Sequence, residues 1–196
     1  MRSHHTLLSS DGGRYPTSEK MSRDELARRI YEISHIKGHF RLRSGQLSDE
    51  YFDKYLFEAQ PDVLRAIAEQ MAQLIPIGIQ ALAGLEMGGI PVATILSQVS
   101  GIPALFVRKN VKEYGTCKLA EGGDVSGRNL LIIEDVVTSG GQVVLSVADL
   151  RARGAVVENV LSVIDRESGG RESLAKEGLS FRALFTMSEL KIACKG

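Results

Sequence analysis

Glu134 and Asp135 stand side by side at the end of an apolar run, and Thr138, Ser139, Gly140 and Gly141 follow at once. In the stretch LLIIEDVVTSGGQVV, the four leading apolar residues read as a buried strand that ends at the two acids. Adjacent residues on an extended backbone point in different directions, so a single shared proton does not suit this pair. Two divergent ionised acceptors suit the hydroxyls of a polyol, directly or beside a divalent cation. The residues that follow open a helix, whose first-turn amides lack intrahelical acceptors and whose dipole favours an anion. Thr138 and Ser139 add hydroxyl donors there. The combination predicts one ligand with a sugar diol at one end and a phosphate at the other. The GxxxxGK[ST] pattern is missing, no GxGxxG opens the first helix, and the acids precede the turn, which sets aside a P-loop and a dinucleotide fingerprint.

Such a site needs a strand end and a helix start held together, and the rest of the chain supplies the pattern. Ser22–Glu25 has capping-box spacing ahead of Leu26, Ala27, Ile30 and Ile33, a short amphipathic helix. HFRLRSG reads as a strand ending at Gly45, and the aromatic-rich YFDKYLF also reads as a strand. After Pro61, apolar residues at helical spacing run from Leu64 to Ile75. From there strands IQALAGLE, PALFVR, NLLIIED, AVVENVLSVID and SFRALFT alternate with helices GIPVATILSQVSG, GQVVLSVADLRARG and a final RESLAKEG. Apolar runs buried on both faces and separated by helices predict an α/β domain around a mostly parallel sheet. In such sheets ligands collect beyond the C-terminal strand ends, where the two acids sit. One connection, Arg108–Arg128, is long and polar, the form that lids and binding loops commonly take.

The 196 residues fit one domain, read as a flexible leader over 1–20 and a single unit over 21–196. With 24 basic and 24 acidic residues the formal net charge is zero, so nothing draws the whole chain to nucleic acid or to an anionic membrane. Cys117 and Cys194 make neither a disulfide framework nor a structural zinc site, and His4-His5 reads as part of a solvated tail. The opening MRSHHTLLSSDGG lacks the apolar core of a signal peptide and no run of 18 apolar residues follows, so a reducing cytoplasm is the expected location.

LIIEDVVTSGGQV resembles the phosphoribosyl diphosphate (PRPP) signature of the type I phosphoribosyltransferases. That resemblance implies a mostly parallel sheet with flanking helices and a small N-terminal hood. It implies that Glu134 and Asp135 hold the ribose hydroxyls and that Val137, Thr138, Ser139, Gly140 and Gly141 wrap the 5-phosphate, with Val136 beside them. The implied reaction transfers ribose 5-phosphate to a nitrogenous base and releases diphosphate in the presence of Mg²⁺, with Asp135 the one protein group considered for the metal.

Three further stretches and one strand end resemble the orotate-specific branch of that family. FRLRSGQLSDEYFDKY implies a base pocket built on Arg43, Tyr51 and Phe52. RKNVKEYG resembles a mobile catalytic loop that reaches across a homodimer interface. On it Arg108, Lys109 and Lys112 would meet the diphosphate, Lys112 as the principal cation and Tyr114 as a neutral donor, with the 108–120 loop serving the neighbouring site. GLEMGGIPVA implies a diphosphate-binding loop at Gly88 and Gly89. In SVIDRESGG, Arg166 takes the place of the arginine that contacts the orotate carboxylate, with Thr138 also near the base. The implied activity is orotate phosphoribosyltransfer in pyrimidine (UMP) synthesis, with small-molecule substrates and neither nucleic acid nor membrane as partner. A purine phosphoribosyltransferase and a nucleotide-sensing RNA-binding regulator on the same fold are the alternatives.

Overall fold

The computed structural model describes residues 20–41, 45, 47–109 and 119–195. Arg43, Lys112 and Tyr114 therefore lie outside the described residues, as does most of the basic loop. The chain runs α1 (Arg23–Ser34), β1 (His35–Arg41), β2 (Leu47–Phe52), α2 (Lys54–Glu58), α3 (Pro61–Met71), a 3-10 turn (Ala72–Leu74), β3 (Ala81–Leu85) and α4 (Gly89–Ser100). It continues β4 (Ala104–Val107), β5 (Ala120–Glu121), β6 (Asn129–Val137), α5 (Gly141–Arg151), β7 (Val156–Asp165), α6 (Gly170–Lys176), β8 (Ser180–Thr186) and α7 (Met187–Ala193).

Six strands form one sheet in the order β5-β4-β3-β6-β7-β8, parallel except where the short β5 returns against β4. The strand order reverses between β3 and β6, so the crevice above their C-terminal ends is the place where this topology opens for a ligand. β6 shows why the sheet is buried on both sides. Leu131 and Ile133 face a core shared with α1, α3, α4 and α7, whereas Leu130 and Ile132 face one shared with α5 and α6. β1 and β2 form a separate antiparallel hairpin, the small hood that the sequence suggested.

Two readings of the sequence are corrected. YFDKYLF is not one strand: β2 stops at Phe52 and a five-residue helix follows. Asp53 accepts from the Tyr55 N–H at 3.1 Å and so caps that helix, while Phe57 is completely buried on its inner side. Burying that ring is worth roughly 2–3 kcal/mol, enough to override the strand preference of its aromatic neighbours. RESLAKEG is not the last helix either. α7 follows it, started by a reciprocal capping box between Thr186 and Glu189. At Ser22 the side chain accepts from the Glu25 N–H at 3.3 Å and starts α1 as expected.

Candidate active site

β6 delivers its two acids to different places. Glu134 reaches a cleft of about 290 Å³ whose wall is completed by Val136–Val143 and, from other elements, by Lys54, Tyr55, Glu86, Met87, Gly88 and Lys109. Asp135 points the other way and is wholly buried beneath the floor. Its Oδ1 accepts from the Val136 N–H at 2.6 Å, and its Oδ2 is 2.6 Å from Lys54 Nζ. The divergence expected of neighbouring strand residues is therefore present. Only Glu134, however, shows its carboxyl to the cleft.

The turn after β6 is built for close approach. Gly140 holds φ 78°, a left-handed conformation that glycine adopts without penalty, and it directs the chain into α5. Thr138, Ser139, Gly140 and Gly141 all line the cleft, with the free first-turn amides of α5 behind them. Opposite them, Gly88 is buried, and a Cβ there would fall 1.6 Å from Asp135 Oδ2. Gly88 lines the cleft, while Gly89 packs its backbone against the Ile133 carbonyl. The peptide between Glu86 and Met87 is cis. Glu86 Oε2 accepts from the Lys109 N–H at 3.0 Å, which fixes where the basic loop leaves the sheet.

Of the loop's basic residues, Lys109 lines the cleft, whereas Arg108 pairs with Glu121 at 3.6 Å. A second cavity of about 260 Å³ gathers Tyr51 and Phe52 from β2 with Arg166 from the end of β7. The Arg166 guanidinium lies 5.9 Å over the Phe52 ring, and its backbone N–H donates to the Val137 carbonyl at 2.9 Å. That bond ties the β7 end to the phosphate-type turn. The preceding Asp165 is buried and pairs with Arg171 at 3.2 Å, so the Asp165-Arg166 step is anchored and not a loose surface turn.

Sequence reading missed Lys54 and Glu58. They are four apart on α2, so a helix presents both on one face, toward Asp135. The i,i+4 spacing was the available signal, hidden once YFDKYLF was read as a strand. Burial, followed by the neighbouring Asp135 carboxyl, pushes Glu58 up to about 9 from the ordinary 4.5. Burial, then Asp135, raises Glu134 too. Burial works to lower the Lys54 amine, but the pull of Asp135 and Glu134 outweighs it and its pKa is raised.

A carboxyl held neutral in the fold but ionised in the unfolded chain takes up a proton on folding. Its stabilising contribution is complete below the unfolded value of 4.5 and declines as pH rises toward about 9. Glu58→Gln, which stays neutral in both states, is expected to flatten the fall in Tm between about pH 6 and about pH 9. A fall as steep as in the unsubstituted chain would refute the neutral Glu58.

Comparison with known proteins shows which family the chain resembles. The phosphoribosyl transferase domain family matches residues 56–184. The orotate phosphoribosyltransferase of Nocardioides sp. is 52% identical over 168 residues, covering 86% of this chain and 94% of that protein. The crystal structure of Mycobacterium tuberculosis orotate phosphoribosyltransferase in complex with Fe(III) dicitrate superposes with a TM-score of 0.79 at 32% identity, over 86% of this chain and 98% of its own. The same protein in complex with 5-phospho-alpha-D-ribosyl 1-diphosphate gives 0.75 at 29% identity and the same coverage.

Proposed function

The chain belongs to the phosphoribosyl transferase family, and from that premise we propose that it transfers the ribose 5-phosphate group of PRPP to orotate, forming orotidine 5′-phosphate and diphosphate. The observation that carries this reading is the pairing of the two cavities. A cleft lined by backbone amides and the acids Glu134 and Glu86 adjoins an aromatic pocket that includes the Arg166 guanidinium, joined through the Arg166–Val137 backbone bond.

In this reading Thr138–Gly141 hold the 5-phosphate through amides and hydroxyls, and Glu134 accepts from the ribose hydroxyls. Asp135 acts from below, fixing the floor and not touching sugar directly. Tyr51 and Phe52 wall the flat base, and Arg166 forms a two-pronged pair with its carboxylate. Orotate has an ionisable ring N–H, so no strong protein base is needed. What this chain contributes is positioning of the ring nitrogen against the sugar carbon and donors aimed at the departing diphosphate.

Among the described residues no group of three or more His, Cys, Asp or Glu side chains could cage a metal ion. The cleft does present the Glu134 and Glu86 carboxyls, hard oxygen donors that fit a cation arriving on the substrate with its own water. Mg²⁺ bound there would neutralise charge on the diphosphate.

We propose further that the chain works in the cytoplasm as a homodimer, with the 108–120 loop serving its neighbour's cleft through Lys112, and with Tyr114 as a neutral donor. The basic run Arg108, Lys109 and Lys112 on a connection longer than a sheet crossover needs supports a loop that supplies charge to a diphosphate. Among the described residues no helix is long and apolar enough to cross a membrane.

One assay tests these points. With PRPP and Mg²⁺, orotate is expected to be consumed, and guanine, hypoxanthine, xanthine and adenine left unchanged. Withholding Mg²⁺ should suppress the rate. Consumption of a purine in preference to orotate, or tight RNA binding with no base consumed, would replace this reading with one of its alternatives. In the same assay, mixing Lys112→Ala chains with Asp135→Asn chains should restore part of the activity. No recovery in verified heterodimers would count against a loop acting across the interface.

A further inference from the structure

Lys54 stands where a bound sugar diphosphate would need a cation, yet it comes from an element outside every glycine-rich turn of the site. Three observations fix its position. α2 is anchored by the fully buried Phe57 and by the Asp53 cap, with Asp53 N–H also donating to the Ser34 carbonyl at 2.8 Å. The Lys54 ammonium is held 2.6 Å from Asp135 Oδ2, the same oxygen against which Gly88 packs. About a third of the side chain stays exposed, and that part forms the cleft wall.

An ammonium carries three N–H donors, and the described residues give Lys54 one ion-pair acceptor, Asp135. Lys54 and Gly88 line the same cleft, and the ammonium rests on the Asp135 oxygen beside which Gly88 packs. The 5-phosphate is already provided for by the Thr138–Gly141 turn, which leaves the diphosphate as the anion at the Gly88 end.

Accepting the phosphoribosyltransferase reading, we propose that Lys54 is a substrate-contacting residue, donating to an oxygen of the sugar's 1-diphosphate while Asp135 holds the ammonium in place from below. Asp135 then serves to aim a cation. Glycine at position 88 is what lets the Asp135 carboxylate stand where it holds the ammonium, because a Cβ there would fall on that carboxylate.

The competing role for Lys54 is that of a counterion that only neutralises the buried carboxylate. Calorimetric titration with inorganic diphosphate separates the two without requiring turnover. Lys54→Met is expected to weaken diphosphate binding about 10- to 100-fold, the loss of one charge-assisted hydrogen bond, and to raise KM for PRPP in step. KM for orotate should stay within about 3-fold, since a contact with the diphosphate leaves the base pocket intact. Lys54→Arg, which keeps the charge on a longer and planar group, should recover part of the diphosphate affinity.

Diphosphate binding by folded Lys54→Met that equals the unsubstituted chain would overturn the proposal. So would equal losses for diphosphate and orotate. Should Lys54→Met not fold, reductive methylation of the unsubstituted chain distinguishes the two roles. Diphosphate is expected to protect Lys54 from labelling, and unchanged labelling at saturating diphosphate would overturn the contact. Failure of the unsubstituted chain to consume orotate is a separate outcome. It would remove the orotate reading while the diphosphate titration still tested Lys54.

Discussion

Gly88→Ala is expected to leave less than about 1% of the turnover and to lower Tm by roughly 5–15 °C. The added methyl would sit 1.6 Å from Asp135 Oδ2 and 3.0 Å from Glu58 Oε1. Asp135 is wholly buried and already engaged by Lys54 and the Val136 N–H, so it has nowhere to retreat. Forcing a methyl group into a filled core costs about 1–3 kcal/mol. Separating a buried carboxylate from its cation costs about 3–5 kcal/mol when one partner is left alone. The two are alternatives more than additions, because the chain will take whichever distortion is cheaper. Either route shifts the cleft floor, and a displacement near 1 Å at a reacting centre is worth about 100-fold in rate.

Gly141 provides the contrast. A Cβ there meets nothing nearer than Ser139 Oγ at 3.9 Å, so Gly141→Ala should keep the Tm of the unsubstituted chain. Thermal melts of both variants, read beside orotate turnover, separate packing from ligand approach. A Gly88→Ala chain with normal melting and normal turnover would mean that the Asp135 carboxylate does not lie where Gly88 meets it.

Arg166→Gln is expected to raise KM for orotate by roughly 30- to 5,000-fold, from the roughly 2–5 kcal/mol lost when a bound carboxylate loses its partner. Affinity for PRPP should change little. Arg166 is exposed and its backbone N–H donates to the Val137 carbonyl, a bond any residue there keeps, so the substitution removes a charge without loosening the β7 end. Glutamine keeps a donor but neither the charge nor the fork, and the advantage of orotate over uracil should shrink accordingly. Kinetics with both bases provide the measurement. An unchanged preference for orotate would move the carboxylate contact to Lys191 or to a ring N–H of His35, which also line that cavity.

Much of the site's frame was legible in the sequence because it rests on backbone. The strand carrying Glu134, the glycine turn after it and the helix opening at Gly89 announce themselves by local pattern, and the fold follows that pattern there. α2 was not legible, because Tyr51, Phe52, Tyr55 and Phe57 all favour strands in isolation. What makes Lys54–Glu58 helical is the burial of Phe57 and Glu58 against residues distant in the chain, which no short window contains. The missed α7 is a different case. Its Thr186-to-Glu189 box was readable, but it begins within an apolar run that looks like the continuation of β8. Asp135 shows a third limit. Its divergence from Glu134 follows from strand geometry, but the partners beneath it, Lys54 and Gly88, are remote in sequence and meet it only through the fold.

The phosphate turn and the base pocket are made of different materials. At Thr138–Gly141 the chain offers main-chain amides, which every residue type except proline carries and no ordinary substitution can retune. At the neighbouring cavity the contacts come from the side chains of Tyr51, Phe52 and Arg166, borne on a hairpin outside the main sheet and on one strand end. On the proposed reading, the half of the ligand that is common to many nucleotides would meet an inflexible surface, and the half that distinguishes them would meet replaceable groups. Exchange of the hairpin together with Arg166 is then the change expected to alter the base while the sugar phosphate continues to dock in its old register.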